Sequence, residues 1–369
     1  MAAYDLPSRR ARYFTLSSEL AHLDNTHLRA LFDQAETQPG WGRSQLLHIG
    51  RSPVFVKRVP LTALEFDHLF STQNLYDLPP YYHYGVGSAG FGVFRELVAN
   101  IKTTNWVLEG AIATFPLLYH YRMLPFAEER PAVDLERHRE YVTYWNSNEH
   151  IGRYMLARAQ APYELALFFE HLPYAVAPWL LQHPSKITWV LDDLRSAVTF
   201  LRTQGMLHFD ANFDNVVSDG QHAYLTDFGL VLDRRFALSD DEALFLKQHP
   251  YYDYGEVLGS LGFLVLDVYH ALPENAKQTI LQHYGTAEEM AVPDLVPIIL
   301  NNIEEIVAHG LMQLDRRLVD ATVQYRSVIL LSLDFFVRMR RAKTKDITFP
   351  HTKLVTLLKD NTFANFLVV

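Results

Sequence analysis

The chain contains no cysteine. That removes a disulfide framework, a thiolate zinc site and a cysteine nucleophile together, and it fits a reducing compartment. Positive charge is scarce as well: 33 lysines and arginines face 42 aspartates and glutamates, a formal net charge of −9 over 369 residues. A chain of that sign argues against sequence-independent nucleic-acid binding, which needs a basic surface. Long hydrophobic runs are missing. The most apolar stretch, Val257–Leu266, ends at Asp267 and is too short to span a bilayer, and Met1–Arg10 lacks the apolar core of a secretory signal. No repeat or low-complexity tract stands out. The expectation is a soluble, cytoplasmic protein with no nucleic-acid or membrane partner. What is plentiful is core material, 49% hydrophobic and 13% aromatic residues, enough for one large bilobal unit or two to three smaller ones.

Residues 15–37 carry helical periodicity with polar breaks, and Pro39-Gly40-Trp41-Gly42-Arg43-Ser44 marks a loop. Two short runs, Gln45–Ile49 and Pro53–Val59, joined by Gly50-Arg51-Ser52, predict a β-hairpin. Phe94, Leu97, Val98, Ile101 and Leu108 predict a helix over 93–108 behind a glycine-rich lead-in. Residues 126–162 are charged and irregular and read as an insertion before an apolar strand, Glu164–Phe169. Beyond 173 the pattern turns helical. Ile187, Val190, Leu191, Leu194, Val198 and Leu201 form one stripe with Ser185 as its candidate cap, and 293–310 and 316–341 predict further helices. The basic run Arg338–Lys345 reads as the C-terminal end of the last of these, where cations complement the helix dipole. A sheet-rich first part and a helical second part predict an α+β protein of two lobes, 1–170 and 171–369, with a ligand cleft between them.

The chemistry concentrates in His208-Phe209-Asp210-Ala211-Asn212-Phe213-Asp214-Asn215 and in Tyr224-Leu225-Thr226-Asp227-Phe228-Gly229. These segments resemble the protein-kinase-like superfamily: the first matches the catalytic-loop pattern His-x-Asp-x-x-x-x-Asn, and the second contains a literal Asp-Phe-Gly at a fitting distance. The resemblance implies a bilobal fold with a sheet-containing N-lobe and a mainly helical C-lobe. It also implies transfer of the γ-phosphoryl group of ATP to a hydroxyl, with magnesium. Such transfer asks the protein mainly to position groups and neutralise charge. Asp210 is then the carboxylate that orients the acceptor hydroxyl and takes its proton, while Asn215 and Asp227 offer magnesium hard oxygen ligands. His208 reads as a brace for the loop.

Upstream, Val54-Phe55-Val56-Lys57-Arg58-Val59 resembles the strand whose lysine grips the α- and β-phosphates. Strand alternation puts Phe55 and Lys57 on one face, and Val54, Val56 and Arg58 on the other. Glu96 is the first candidate for the ion-pair partner of Lys57, although it lies about 200° around its helix from Phe94. Glu65 is the alternative. Glu170-His171-Leu172 resembles the hinge whose backbone groups hold adenine, and Gly40 and Gly42 stand in the right order for a reduced phosphate lid. Gly85–Gly92 fits G-x-G-x-x-G, but it follows the lysine strand and precedes the helix, the wrong order for a lid. It reads as a close-approach loop. Asp210-x-Asn212-x-Asp214 opens like a calcium loop and fails at Asn215 and Gln221.

The resemblance covers residues 40–270 and has departures. Phe209 replaces the arginine that pairs with a phosphorylated activation segment in many protein kinases, so control through Ser239 is not expected. Asn212 replaces a lysine and brings no charge to the transferring group. No Ala-Pro-Glu follows Gly229, and the chain runs quickly to Tyr252-Asp253-Tyr254-Gly255, which resembles the anchoring helix of the larger lobe. Three readings result: a divergent protein kinase, favoured by Asp-Phe-Gly; a small-molecule kinase of the aminoglycoside or choline type, favoured by the missing peptide-docking motif; and a catalytically silent nucleotide-binding protein, ranked last because every essential polar position is filled. The phosphoacceptor is accordingly a protein or a small molecule.

Overall fold

In the computed structural model, which describes residues 5–38, 43–126, 132–284, 292–361 and 363–364, the chain is α+β and predominantly helical. Helices α1 (Leu6–His22) and α2 (Asn25–Gln34) lead into strands β1 (Glu36–Gln38), β2 (Arg43–Ile49) and β3 (Ser52–Leu61). A short α3 (Ala63–Asp67) and a long α4 (Val93–Glu109) precede β4 (Leu118–Pro125); α5 (Leu135–Tyr144) and α6 (Glu149–Ala159) precede β5 (Tyr163–Glu170). Next come β6 (Tyr174–Ala175), α7 (Val176–Gln182) and α8 (Ile187–Thr203), then the short strands β7 (Met206–Leu207), β8 (Val216–Ser218), β9 (Ala223–Leu225) and β10 (Leu232–Asp233). Helices complete the chain: α9 (Asp240–Gln248), α10 (Tyr252–His270), α11 (Glu274–Tyr284), α12 (Val292–Asn301), α13 (Ile303–Ala308), α14 (Arg316–Arg341) and α15 (His351–Asn361).

The first five strands form one antiparallel sheet in the order β1-β2-β3-β5-β4. The hairpin expected over 45–59 is β2–β3, closed at Gly50 with φ 58°. The apolar β3 and β5 pair from Val54↔Glu170 to Leu61↔Tyr163 and take the centre. Alternation along β3 divides two faces as expected. Val54 and Val56 enter the main core, whereas Val59 and Leu61 join Leu165 and Leu167 in a smaller cluster covered by Val93, Phe94 and Leu97 of α4. Lys57 shares the parity of Val59 and Leu61, so the sheet presents it to α4.

Some expectations need correction. The helical reading of 15–37 holds only to Gln34, because Asp24 caps a separate helix and residues 36–38 add an edge strand. The stretch 126–162 contains two helices, and Trp145 between them is fully buried against Tyr81 and Tyr82. Strand β4 escapes the sequence pattern because its middle residues, His120 to Met123, are all half-buried and give no alternation. Ser185 lies in a 3-10 turn and does not cap α8. At the far end Lys345 donates to the carbonyls of Met339 and Arg340 at 2.7 and 3.0 Å, closing α14 as the basic run suggested. No single helix among the described residues is long and apolar enough to cross a membrane; α10 and α11 would suffice only as a pair bent by 120°, and α10 is buried along most of its length.

Helix α10 is the foundation of the 208–215 loop. It carries Gly255 and Gly259 where it meets Ser332 of α14, close enough that a Cβ on either would lie 3.1–3.3 Å from that side chain. This close packing fixes the N-terminal turn of α10, and with it Asp253, beneath that loop.

Candidate functional site

Lys57 stands at the centre of the polar groups. Its Nζ donates to Glu96 Oε1 at 2.7 Å and to Asp227 Oδ1 at 2.8 Å. Burial alone would lower the lysine pKa, but the two carboxylates outweigh it and raise the group above its ordinary value. Burial pushes the Asp227 carboxyl up, yet Lys57 and the Gly229 amide outweigh it, and Asp227 titrates below the usual range. Glu96 goes the other way: burial, reinforced by the Asp227 charge, raises it despite Lys57.

Glu96 reaches Lys57 because the buried face of α4 is wider than its apolar stripe. Asn100, Thr103 and Thr104 are buried on the Glu96 side with their polar atoms bonded, Asn100 to the Glu96 carbonyl and Thr104 to the Leu118 amide. Glu65 is committed elsewhere. Its Oε2 accepts from the Thr62 amide and hydroxyl at 2.9 and 2.8 Å, and its Oε1 accepts from the Val93 amide at 3.0 Å, which caps α3 and the start of α4 together.

The 208–215 loop is held from below and within. Asp253 accepts the amides of His208 and Phe209 at 2.8 and 2.9 Å. The His208 Nδ1 accepts the Asp210 amide at 3.2 Å and its Nε2 donates to the Thr226 carbonyl at 2.9 Å, a pairing that requires the neutral ring. Burial agrees, pushing its pKa down to about 4. Phe209 and Asp227 both sit in the left-handed region, φ 62° and 60°, a conformation that costs a non-glycine residue energy and persists only where the surroundings enforce it. For Phe209 the enforcement is aromatic, with Phe245 and Tyr252 ring centroids at 5.3 and 5.2 Å.

Two amides orient Asp210. Asn212 Nδ2 donates to its Oδ1, and Asn215 Nδ2 to its Oδ2, each at 2.7 Å. Burial and the Asp227 charge nevertheless raise Asp210 to about 7. A carboxyl poised near neutrality can exchange a proton with a bound hydroxyl. The raised value also has a stability consequence. The folded protein retains this proton where the unfolded chain has lost it, so its stabilising contribution fades as pH rises from about 4 to 7. Asp253 and Glu256 are raised in the same direction. The wild type should therefore lose stability over this window more steeply than Asp210→Asn, as read by urea unfolding at a series of pH values; equal slopes would contradict the assigned environment.

The glycine-rich segment 85–92 is a close-approach loop, and what it approaches is this site. A Cβ on Gly85, which has φ 69°, would lie 2.9 Å from Asp210 Oδ1. The Phe91 amide donates to the Gly229 carbonyl at 3.0 Å, and Tyr141 and Tyr144 of α5 hold the loop by donating to the carbonyls of Gly87 and Val86 at 2.8 and 2.9 Å.

Neither a family model nor a curated protein matches the chain. The site is therefore defined by its own residues. The structure brings together Lys57, Glu96, Asp210, Asn215 and Asp227. It does not add Glu170 as a free side chain: that carboxylate is buried in an ion pair with Arg9 at 2.7 Å, and its amide donates to the Leu117 carbonyl at 2.8 Å. Leu172, half-buried, follows on the chain segment leaving β5. Gly40 and Gly42 lie outside the described residues. Sequence reasoning missed two participants. Asn212 is read there as a lost lysine and as part of a failed calcium loop, whereas it orients Asp210, and Gly85 carries no signal beyond its glycine-rich context.

Proposed function

We propose that this protein is an ATP- and magnesium-dependent phosphotransferase of bilobal, protein-kinase-like architecture, with a sheet-containing lobe over 1–170 and a helical lobe over 171–369. The observation that carries this reading is the simultaneous pairing of Lys57 with Glu96 and Asp227, opposite an Asp210 whose two oxygens are held by Asn212 and Asn215. Lys57 supplies positive charge for the α- and β-phosphates. The donor chemistry fits magnesium: Asp227 and Asn215 offer hard oxygens, the ligand type of an ion that completes its shell with phosphate oxygens and water. When bound, magnesium would neutralise phosphate charge. The chain's own contribution is positional: Asp210 accepts the proton of the acceptor hydroxyl as its oxygen bonds to the γ-phosphorus and the bond to the ADP oxygen breaks. The backbone of 170–172 is the candidate support for the adenine.

The literal Asp-Phe-Gly supports a divergent protein kinase. The loop 85–92 supports the second reading, a small-molecule acceptor, because it closes one side of Asp210 with the chain's own backbone. The segment after Gly229 is also short, reaching α9 at Asp240, and it is tied down where β10 pairs with β7. The proposal is tested by binding. Saturating MgATP should raise the melting temperature, with about 2.7 kcal/mol of added stability at a hundredfold excess over Kd. No shift with MgATP would sink the nucleotide reading.

A finer test concerns the acceptor side. Gly85→Ala should reduce turnover by about tenfold or more through displacement of Asp210, with nucleotide affinity intact. Gly87→Ala is the control, since Gly87 has φ 88° but its Cβ would meet only the Tyr144 ring at 3.8 Å. Equal losses in both variants would mean that backbone conformation, and not contact with Asp210, decides the effect.

A further inference from the structure

A cavity lies away from these residues, between the end of α8, the β7–β10 pair and α9. Its volume is about 320 Å³, and it is lined by Arg202, Gly205, Leu207, Arg234, Leu238, Ala243, Leu246, Lys247 and Pro250. In a chain of net charge −9, three cations and no carboxylate face it. Among the described residues none of the three has an ion-pair partner, and the Nε of Arg202 is buried without a hydrogen-bond acceptor. A buried donor left unmade is costly unless something fills the role. Arg202 is nevertheless held in place, its guanidinium 4.8 Å from the Tyr251 ring centroid. Arg234 lies across Gly205, where any Cβ would collide with it, so the wall is shaped by the missing side chain. The rest of the lining is apolar.

We propose that this cavity binds a small amphipathic anion, a phosphate or carboxylate head on a single ring or short acyl body. The head is recognised by Arg202, Arg234 and Lys247 through charge-assisted hydrogen bonds. The body rests on Leu207, Leu238, Leu246 and Pro250. The volume falls at the lower end of the small-molecule range, which suits one ring better than a nucleotide. The position gives such a ligand a second consequence. Leu207 of β7 lies three residues before Asp210, and Arg234, directly after β10, donates its amide to the Gly205 carbonyl at 2.9 Å, so an occupant touches β7 and the end of the strand paired with it.

The probes are phenyl phosphate, benzoate and inorganic phosphate, titrated into the full-length protein by ligand-detected NMR with hydrogen exchange as the second readout. Phenyl phosphate or benzoate should bind saturably, more tightly than inorganic phosphate, and should slow exchange at 205–209 and 232–234 without competition from MgATP. Arg234→Gln combined with Lys247→Gln, both at exposed positions, should weaken that binding by about tenfold or more. Unchanged affinity in the double variant, competition by MgATP, inorganic phosphate binding as well as phenyl phosphate, or no saturable binding by any probe would each overturn the proposal. None of these readouts depends on phosphotransfer activity, so failure here and failure of the proposed function are distinguishable.

Discussion

Replacing Asp210 by asparagine should lower phosphoryl transfer by about 100-fold or more while leaving MgATP affinity within about threefold of the wild type. The substitution keeps the shape, but an asparagine has one acceptor oxygen for the two amides of Asn212 and Asn215, so one of those contacts is lost along with the proposed proton acceptor. Asp227→Asn should behave differently. Asp227 binds Lys57 directly, and its charge would face magnesium, so the magnesium-dependent part of nucleotide affinity should fall along with turnover. Single-turnover transfer and calorimetric titration, run on both variants, separate the two roles. Equal, modest losses in both would mean that the roles are misassigned.

Glu242→Gln should destabilise the protein by about 3–5 kcal/mol, because it strands Arg95 in the interior. Arg95 and Glu242 are almost completely buried and form two bonds at 2.7 and 3.2 Å. Arg95 is the neighbour of Glu96 on α4, and Glu242 belongs to α9, so the pair ties the helix that carries the Lys57 partner to the segment after Gly229. On the same face of α4, seven residues on, Lys102 pairs with the fully buried Asp233 of β10. Urea unfolding reads the stability change, and the apolar double variant Arg95→Met with Glu242→Leu should recover most of it. A change below about 1 kcal/mol in Glu242→Gln would show that the pair does not secure the helix.

This connection also bears on regulation. Ser239 is the N-cap of α9, its Oγ accepting from the Glu242 amide at 3.2 Å while Glu242 bonds back to the Ser239 amide. Asp240, Asp241 and Glu242 follow it directly. A phosphate there would be favoured by the helix N-terminus but would crowd three carboxylates, and Phe209 brings it no positive charge, so activation through Ser239 is not expected. Once an acceptor is found, unmodified protein should be as active as protein phosphorylated at Ser239. A large activation by that phosphate would contradict the arrangement.

Much of the fold and the site is legible in the sequence where local pattern and chemistry coincide. The β2–β3 hairpin carries its turn at Gly50, β5 is apolar from Leu165 to Phe169, and the spacing from Asp210 to Asn215 matches the loop in which the Asn215 amide reaches back to both the Asp210 carbonyl and its carboxylate. Position around a helix is harder to read. Glu96 looks misdirected in the sequence because apolar periodicity marks only part of the buried face of α4, the remainder being threonine and asparagine with satisfied hydrogen bonds. Long-range pairings outside the motifs leave no local trace. Nothing local joins Arg9 to Glu170, Arg95 to Glu242 or Gly85 to Asp210, since each is decided by how distant elements pack.

The most direct test of the proposed phosphotransfer site is hydrogen exchange across 54–58, 208–216 and 226–229, measured with ATP alone and with ATP plus magnesium. ATP with magnesium should slow exchange in all three segments together, and Asp227→Asn should abolish the part that depends on magnesium. Unchanged exchange in these segments at saturating MgATP would contradict the assignment of Lys57, Asn215 and Asp227 to one nucleotide site.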